Sequence, residues 1–408
     1  MSCRRAIQEV QILQELSMLA QPEALPPLSD WQAFDWKTEL RNNVRTVADL
    51  EQVLPLQGEE KAALERVVDL HPMNIPRYYL NLIDSNDPHD PIRKLAVPQT
   101  EELVVAGAMG DTTTDPYGDD KHSKGNGILH KYSYTALVVS TEACTMYCRH
   151  CFRKVFVGLP NDKTVENFEQ AAKYIAEHDE ITNVVISGGD PMMLPTENLR
   201  RMLDALKDIP HLNYVRIGTR TPVVFPMRFF EDEVIELFRE FNEAKTLYMP
   251  THFNHPAEIT PESTEAVKRI RSAGVTMNNQ AVLLKGINDD ADTLAELMNG
   301  LTRIGVNPYY LYQCMPVARV RHHFQTPLKA GVDMVDAARQ RMDGYAKRFK
   351  FIIAHDMGKI EICGRVGDKL ILKQIHARQE SPEEASRMLV YQLTEEGGEL
   401  EDLQPVAI

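Results

Sequence analysis

The sequence predicts an α/β protein whose centre is a partial barrel of six β/α units. Short apolar strands alternate with amphipathic helical segments from about residue 134 onward, and this alternation favours parallel strands joined by helices. Polar or cofactor-capable residues follow each of these strands, whereas the opposite ends carry ordinary turns. Because the carboxyl ends of such strands meet at one rim, this asymmetry predicts an enzyme with its active site there. The strands are expected at 135–140, 183–187, 214–218, 246–251, 275–281 and 306–313.

Helical periodicity between the strands supplies the second half of each unit. Residues before about 130 show helical and irregular patterns without strand alternation, which predicts a mainly helical accessory region over 1–130. The barrel is predicted over 131–345, and a small segment with further strands and an acidic tail over 346–408. The tail is expected to be mobile or to lie across a neighbouring subunit. The barrel helices are expected at 165–178, 197–209, 231–244, 261–273 and 289–304, with another near 329–344.

Composition excludes several classes of protein. The chain has 408 residues, of which 43% are hydrophobic and 25% charged, and its net charge is −14. These values are typical of a globular protein and do not indicate a broad nucleic-acid-binding face. No apolar run approaches the roughly 18 residues of a membrane span, and the first residues lack a signal-peptide core, so we expect a cytoplasmic protein without membrane association. Six cysteines, half of them in one short loop, argue against a disulfide framework.

Three cysteines lie in one loop directly after the first barrel strand, with the spacing Cys144-x3-Cys148-x2-Cys151. A closed zinc site or a fully ligated iron–sulfur cube takes four ligands. Zinc would therefore need a fourth ligand, which His150 or a distant residue could supply. Three thiolates alone suit a [4Fe–4S] cluster with one iron open to an outside ligand, and we favour this interpretation.

A glycine turn, Ser187-Gly188-Gly189-Asp190, follows the second barrel strand. Glycines let a ligand approach the backbone closely. An open iron beside such a turn fits S-adenosylmethionine, whose amine and carboxylate can chelate the iron. One electron from the reduced cluster then cleaves the S–C5′ bond and gives a 5′-deoxyadenosyl radical. The two features on consecutive strands therefore predict radical chemistry.

At these motifs the sequence resembles the radical S-adenosylmethionine (radical SAM) superfamily and, more narrowly, the lysine 2,3-aminomutase family. The resemblance extends from about Trp36 to Ile375. It implies a partial (β/α)6 barrel of the radical SAM type, a reductant of the flavodoxin or ferredoxin type, and assembly into a homo-oligomer. The motifs that carry it are at 90–98, 144–151, 217–224, 251–256, 280–288 and 307–314.

The resemblance also implies roles for individual residues. Arg153, two residues past the third cysteine, matches the arginine that pairs with the α-carboxylate of the substrate. A bidentate guanidinium–carboxylate pair gives that contact both energy and orientation. His150 matches a family histidine near the adenine. The residues that the resemblance implies for S-adenosylmethionine are His150, Ser187, Gly188, Gly189, Asp190, His252 and Gln280.

Family members use pyridoxal phosphate, held by a lysine as a Schiff base that the substrate amine displaces. The matching lysine here is Lys359, with Tyr312 beside the cofactor. The resulting imine lets a substrate radical move nitrogen from C2 to C3. Two family arginines that help to hold the phosphate fall at Lys131 and Thr135. Lys131 can still neutralise a phosphate, whereas Thr135 cannot.

Positions at which this chain differs from the family pattern predict its substrate and its metal content. Lysine-specific members carry an aspartate where this chain has Met315, and a second near Ala354. A buried ammonium without a carboxylate partner is costly, so lysine is disfavoured. Some members bind zinc through additional cysteines, but this chain has Asp290 in one such place and only Cys363 near the other. We predict no zinc.

The leading hypothesis is a radical SAM isomerase, an amino-acid 2,3-aminomutase acting on an amino acid other than lysine. A second hypothesis keeps the radical chemistry without pyridoxal phosphate, as hydrogen abstraction for another reaction on an amino-acid-like substrate. A third is a non-catalytic metal or electron-transfer protein. The Gly188-Gly189 turn argues against the third because such a protein needs no S-adenosylmethionine.

Overall fold

A computed structural model describes residues 35–54, 56, 58–104, 115–154, 156–159, 164–165 and 168–407. Within these ranges one sheet contains twelve strands in chain order. The isolated cysteines Cys3, Cys314 and Cys363 are each predicted by the sequence to be free thiols; Cys314 and Cys363 are free, and Cys3 lies with the rest of residues 1–34 outside the described residues. The strands are β1 (Ile128–Tyr132), β2 (Thr135–Val139), β3 (Asn183–Ser187), β4 (Tyr214–Ile217), β5 (Thr246–Thr251), β6 (Thr276–Leu283), β7 (Asn307–Gln313), β8 (Lys350–His355), β9 (Gly358–Val366), β10 (Lys369–Ala377), β11 (Met388–Gln392) and β12 (Gln404–Pro405).

Strands β2 to β7 are the six predicted barrel strands, and neighbouring strands within this set pair in parallel. Their bounds differ from the expected ones by no more than two residues. The partial barrel is thereby confirmed. The helices are α1 (Trp36–Arg41), α2 (Val47–Glu51), α3 (Gly58–Leu70), α4 (Arg77–Leu80), α5 (Pro91–Ala96), α6 (Phe168–Glu177), α7 (Thr196–Lys207), α8 (Thr221–Val224), α9 (Asp232–Ala244), α10 (Pro261–Ser272), α11 (Ala291–Ile304), α12 (Arg321–Phe324) and α13 (Leu328–Arg339).

Alternating side chains on the barrel strands separate the hydrophobic core from the interior of the barrel. In β4, Val215 and Ile217 are fully buried, whereas Arg216 between them is only partly buried. Successive side chains of a strand point to opposite faces, so the fully buried set packs under the helices and Arg216 faces the interior. Each fully buried Val or Ile contributes about 1.5–3 kcal/mol of transfer free energy. The interior face is left for polar and half-buried groups.

The parallel part of the sheet continues one strand further than the six predicted units. β8 pairs in parallel with β7, and α13 lies between them in the chain. The carboxyl end of β8 therefore lies on the same rim as those of β2 to β7. The hairpin between β8 and β9, which contains Lys359, begins at that rim. The division into regions at 130 and 345 stays a prediction, and the sheet itself is continuous across both positions.

Strand β1 was not predicted, since residues before 130 showed no strand alternation. It pairs antiparallel with β2. The polar side chains of His130 and Lys131 are only 2% and 5% exposed, so the strand carries no apolar alternation that a sequence could reveal. His130 Nδ1 lies 3.0 Å from the Tyr174 hydroxyl, which provides the buried ring with a partner.

The acidic tail lies on its own chain. β11 pairs antiparallel with β10, and Leu393, Leu400 and Leu403 are buried. The backbone amide of Leu328 donates to the Gly397 carbonyl over 2.8 Å. The expectation of a mobile tail is therefore wrong, whereas a contact of the tail with a neighbouring subunit stays a prediction. In the described part of the chain, no helix is both long and apolar enough to cross a membrane.

Candidate active site

The cysteine loop leaves the end of β2 and is fastened to the accessory region by buried amides. Asn74 donates from Nδ2 to the carbonyls of Cys144 and Thr145, over 2.9 and 3.0 Å. Asn43 donates to the same Thr145 carbonyl over 3.0 Å. Both asparagines are at most 6% exposed. Because buried amide groups must be hydrogen-bonded, these contacts hold the loop backbone in one place.

A buried charge cluster fixes the same loop from the other side. Arg149 donates from Nε to the Glu102 carboxylate over 2.9 Å, and Lys154 Nζ lies 2.6 Å from it. Burial alone would raise the pKa of Glu102, but the charges of Arg149 and Lys154 outweigh it and lower that pKa to about 2. The three groups thus bind the cysteine loop to the short segment that follows α5.

The three cysteines lie together in the loop as half-buried free thiols. Burial raises the pKa of the Cys144 thiol and raises that of Cys151 to about 11. Thiols in such surroundings lose their protons when a metal compensates the charge. Among the described residues, no three His, Cys, Asp or Glu side chains are close enough to hold a single metal ion. An iron–sulfur cube takes each thiolate on a different iron, so the donor set fits a cluster better than one ion.

The glycine turn after β3 packs directly on the cysteine loop. A Cβ atom at Gly188 would lie 2.4 Å from the Thr141 carbonyl oxygen, and one at Gly189 would lie 2.2 Å from that of Ala143. The amide of Gly189 donates to the Thr141 carbonyl over 2.6 Å. Any side chain at either glycine would therefore separate the two rim loops.

Asp190 supports the next loop from inside the protein. Its carboxylate accepts hydrogen bonds from the Thr219 hydroxyl over 2.6 Å and from the amides of Arg220 and Thr221 over 2.9 and 3.1 Å. The amide of Met192 donates to it as well. Four donors occupy the carboxylate, so Asp190 positions the loop after β4, and its role toward S-adenosylmethionine stays a prediction.

Arg220, on that loop, reaches the cysteines. Its Nη1 donates to Cys148 Sγ over 2.7 Å, and its Nε donates to the His252 carbonyl over 3.0 Å. Nη2 lies 3.2 Å from the Tyr79 hydroxyl and pairs with the Glu258 carboxylate. These contacts leave the guanidinium in one orientation. Sequence reasoning missed this residue, although a cation directly after a barrel strand at the rim was a signal that could have found it.

The residues expected near the nucleoside lie together. His252 Nδ1 is 2.7 Å from the backbone carbonyl of Gln280. Burial lowers the pKa of His150 well below its usual value, and the charges of Arg220 and His252 lower it further. Burial also lowers the pKa of His252 to about 4. Both rings are therefore neutral at pH 7, and His150 Nδ1 is buried without a partner.

Arg153 follows the third cysteine, and its side chain reaches the carboxyl end of β3. It lies on the wall of a cavity of about 290 Å³. Its Nη1 donates to the Ser187 hydroxyl over 3.0 Å and to the Gly188 carbonyl over 3.3 Å. Its Nη2 is 3.6 Å from the carboxylate of Asp119, which lines the same cavity. The side chain is 7% exposed, and its Nε is buried without a partner. A cation so placed is suited to receive a carboxylate.

Lys359 lies next to the rim at the start of β9 and faces the barrel interior. Its Nζ is 4.9 Å from the centre of the Tyr310 ring, and Tyr310 makes an edge contact with Tyr312 at 5.4 Å. Burial lowers the pKa of the Lys359 amine to about 7, helped by the charges of Arg216 and Lys131. The preceding Gly358 has a φ of +129°, and a Cβ there would lie 1.9 Å from the His376 carbonyl oxygen. The structure thus brings Lys359 and Tyr312 to one wall.

Lys131 lies near the end of β1 and is held by backbone carbonyls. Its Nζ donates to the Tyr117 carbonyl over 2.5 Å and to the His355 carbonyl over 3.0 Å. Burial lowers its pKa to about 8. The contact with His355 joins β1 to the end of β8. Two of the three ammonium protons of Lys131 are thus donated to carbonyls, and one remains for a phosphate. A phosphate-binding role for Lys131 stays a prediction.

Residues 138–298 match a family described as the Radical SAM superfamily. The L-lysine 2,3-aminomutase of Clostridium subterminale is 40% identical over 318 residues, which is 78% of this chain and 74% of that one. The chain belongs to the radical SAM aminomutase family. The L-lysine 2,3-aminomutase of Acetoanaerobium sticklandii is 38% identical over 78% of this chain and 74% of its own. The glutamate 2,3-aminomutase of Clostridioides difficile is 36% identical over 78% of this chain and 73% of its own.

The family membership confirms the resemblance seen in the motifs and makes the protein an isomerase. The superfamily implies a [4Fe–4S] cluster and S-adenosylmethionine as the cofactors of this aminomutase. Because relatives named for lysine and for glutamate are similarly identical to it, membership alone does not select the substrate. Among solved structures, the radical SAM enzyme coproporphyrinogen III oxidase of Escherichia coli aligns at 12% identity over 60% of this chain and 67% of that one, with a TM-score of 0.33. That value is too low to support an argument.

Proposed function

We propose that this aminomutase moves the α-amino group to C3 of an amino acid other than lysine, with Lys359 holding pyridoxal phosphate and Cys144, Cys148 and Cys151 holding the cluster. The observation that carries the proposal is the Lys359 amine. It lies in the barrel interior at the rim that also bears the cysteine loop. Burial lowers the pKa of this amine to about 7. A lysine that served only packing would not need a buried amine with so low a pKa.

The cysteine loop and its neighbours support the radical half of the proposal. When bound, the cluster and S-adenosylmethionine supply a carbon-centred radical that abstracts hydrogen. Arg220 fixes the Cys148 sulfur through its hydrogen bond. Gly188 and Gly189 let the turn after β3 pack directly on the cysteine loop, and the neutral rings of His150 and His252 offer nitrogen atoms to a nucleoside. These groups bind and orient, and none of them has to transfer a proton.

The Lys359 amine supports the second half of the proposal, the use of pyridoxal phosphate. Lys359 would hold pyridoxal phosphate through its amine, which reacts with the aldehyde of the cofactor only in the neutral form. Burial and the nearby cations provide the neutral form at pH 7. When bound, the cofactor supplies a conjugated C=N bond through which nitrogen can migrate. Buried polar atoms without partners, Arg216 Nε and His376 Nδ1, surround this part of the interior and fit an additional anionic group.

The surroundings of Met315 and of Asp356, which lies two residues after Ala354, support a substrate other than lysine. Met315 is a half-buried thioether packed against the core, in the place of the lysine-specific aspartate. The Asp356 carboxylate lies 2.9 Å from Lys121 and 3.9 Å from Arg378, so its charge is already compensated. Arg321, a candidate partner for an acidic side chain of a substrate, is paired with Glu399 and Asp402 at 2.6 Å each. Arg153 is the cation that we assign to the α-carboxylate, because its contact with Asp119 is longer, at 3.6 Å, and its Nε is buried without a partner.

The proposal is tested by trapping the second cofactor. The protein is incubated with pyridoxal phosphate, reduced with borohydride and digested, and the peptides are mapped by mass spectrometry. The added mass is expected on Lys359 and is expected to disappear in Lys359→Ala, with an exposed lysine variant such as Lys207→Ala as the matched control. A protein that forms 5′-deoxyadenosine but carries no added mass at Lys359 would instead support the hypothesis without pyridoxal phosphate.

A further inference from the structure

A polar cluster lies near the amino ends of β2 and β3, below Lys359 in the barrel interior, and the side chain of Arg216 in β4 reaches into it. Thr135 begins β2, Asn183 begins β3 and Arg216 lies in β4. The Thr135 hydroxyl donates to Asn183 Oδ1 over 3.1 Å, and Arg216 Nη2 donates to the same oxygen. The guanidinium therefore extends across Asn183 toward the side chain of Thr135.

The charge on Arg216 faces a neutral partner. Its hydrogen bond goes to an amide oxygen, and its Nε is buried without any partner. A partly buried guanidinium whose Nε is unpaired and shielded from water gains free energy when an anion approaches it. The site is therefore incomplete as it stands, and what it lacks is negative charge.

The hairpin of β9 and β10 forms the opposite wall. His376 pairs directly with Lys359 across the two strands. The His376 ring contacts the rings of Tyr132 and Tyr134 at 5.4 and 6.0 Å, and its Nδ1 is also buried without a partner. Burial lowers the pKa of His376 to about 4, and the charges of Lys359 and Arg216 lower it further. Lys359 and Arg216 are thus both close enough to His376 for their charges to act on it, and together they make this part of the interior positive.

We propose that Arg216 binds the phosphate of pyridoxal phosphate and supplies the cation that Thr135 does not. The inference rests on the proposed function, in which Lys359 holds the aldehyde end of that cofactor. Family members carry a phosphate-binding arginine at the position of Thr135, and the small threonine leaves that space to the side chain of Arg216. Lys131, at the second such position, has its amine committed to two carbonyls. An arginine fork binds phosphate oxygens with charge-assisted hydrogen bonds.

The same cation is poorly placed for the substrate carboxylate. Arg153 contacts Ser187 at the carboxyl end of β3, whereas Arg216 contacts Asn183 at its amino end. Four residue steps along a strand separate these contacts by roughly 13 Å. One cation therefore serves each end of the interior, with Arg153 near the rim and Arg216 deeper in the barrel.

The test compares pyridoxal phosphate with pyridoxal, which keeps the aldehyde and lacks the phosphate. Binding is titrated by the visible absorption of the lysine-bound cofactor, and folding is checked by thermal unfolding. Arg216→Met is expected to weaken pyridoxal phosphate by roughly 10- to 100-fold and to change pyridoxal by less than about twofold. Arg216→Lys is expected to fall between. The control Arg200→Met removes an exposed arginine of α7 that pairs with Glu240, and both affinities should stay at the wild-type values.

A rescue variant keeps the test decisive even if Arg216→Met folds poorly. Thr135→Arg in the Arg216→Met background restores a cation at the position where the family carries one, and affinity for pyridoxal phosphate is expected to return. Equal losses for the two ligands, or no loss for either, would overturn the role of Arg216. A wild-type protein that binds neither ligand would instead overturn the use of pyridoxal phosphate, which the inference shares with the proposed function.

Discussion

Arg220 donates a hydrogen bond from Nη1 to Sγ of Cys148 over 2.7 Å. The donor is fixed by Glu258, by the Tyr79 hydroxyl and by the carbonyl of His252, so it cannot turn away from the sulfur without losing those contacts. Hydrogen bonds to cluster sulfurs favour the more electron-rich, reduced state. A side chain outside the cysteine motif therefore acts on the electronic properties of whatever Cys148 ligates.

Arg220→Lys is expected to lower the reduction potential of the reconstituted cluster. A hydrogen bond worth about 1 kcal/mol corresponds to roughly 40 mV for one electron. The measurement is a redox titration followed by electron paramagnetic resonance, with Arg200→Lys as the control. An unchanged potential in Arg220→Lys would show that the hydrogen bond does not act on the cluster.

Gly189→Ala is expected to reduce cluster loading. The new Cβ would lie 2.2 Å from the Ala143 carbonyl oxygen and must displace the cysteine loop. Overpacking of this kind costs about 1–3 kcal/mol. Iron and sulfide per chain after anaerobic reconstitution provide the measurement. Gly218→Ala is the matched control on the neighbouring rim loop, because its Cβ would meet no atom closer than 3.8 Å. Equal loading of the two variants would contradict the packing argument.

Glu102→Gln is expected to destabilise the fold by about 3–5 kcal/mol, because Arg149 and Lys154 would keep their buried charges without a counter-charge. The free energy of unfolding from urea titration measures the effect, with the exposed Glu59→Gln as control. The wild-type carboxyl has its pKa lowered to about 2 in the folded state. Its contribution is therefore present above its unfolded pKa near 4.5 and is lost as the pH falls toward 2. A stability difference that persists unchanged below pH 2 would contradict this account.

Capture of pyridoxal phosphate by Lys359 is expected to quicken with rising pH around a midpoint near 7 and then level off. The amine is protonated below its pKa of about 7 and reacts only when neutral. Stopped-flow absorbance between pH 6 and 9 gives the rate. Removal of the neighbouring cation in Arg216→Met should move the midpoint upward. A rate that still climbs tenfold per pH unit at pH 9 would indicate an ordinary, solvated lysine.

Much of the barrel could be predicted because its signals are local. Strands β3 and β4 combine apolar residues with turn residues directly after them, and both were placed to within one residue of the observed ends. Strand β1 could not be predicted in this way, because His130 and Lys131 are buried by partners far along the chain rather than by a pattern of apolar residues.

The candidate site likewise contains some features that local sequence reveals and others that depend on distant contacts. Cys144, Cys148 and Cys151 are neighbours in sequence, so their common loop was visible without a structure. The hydrogen bond from Arg220 to Cys148 joins residues 72 positions apart. The same holds for Asp190, whose carboxylate accepts hydrogen bonds from the loop after β4, a contact that the motif alone does not reveal. Contacts between loops depend on how the strands are ordered at the rim, which motif spacing does not contain.

The most direct test of the central claim is turnover of a pooled amino-acid mixture by the reduced, reconstituted protein under anaerobic conditions, with S-adenosylmethionine and pyridoxal phosphate. Mass spectrometry of derivatised products separates β-amino acids from their α-amino isomers. We expect a β-amino product from one amino acid other than lysine, formed by the wild type and absent with Lys359→Ala. Cluster-loaded protein that yields no 5′-deoxyadenosine with any amino acid, or yields β-lysine as its main product, would contradict the proposal.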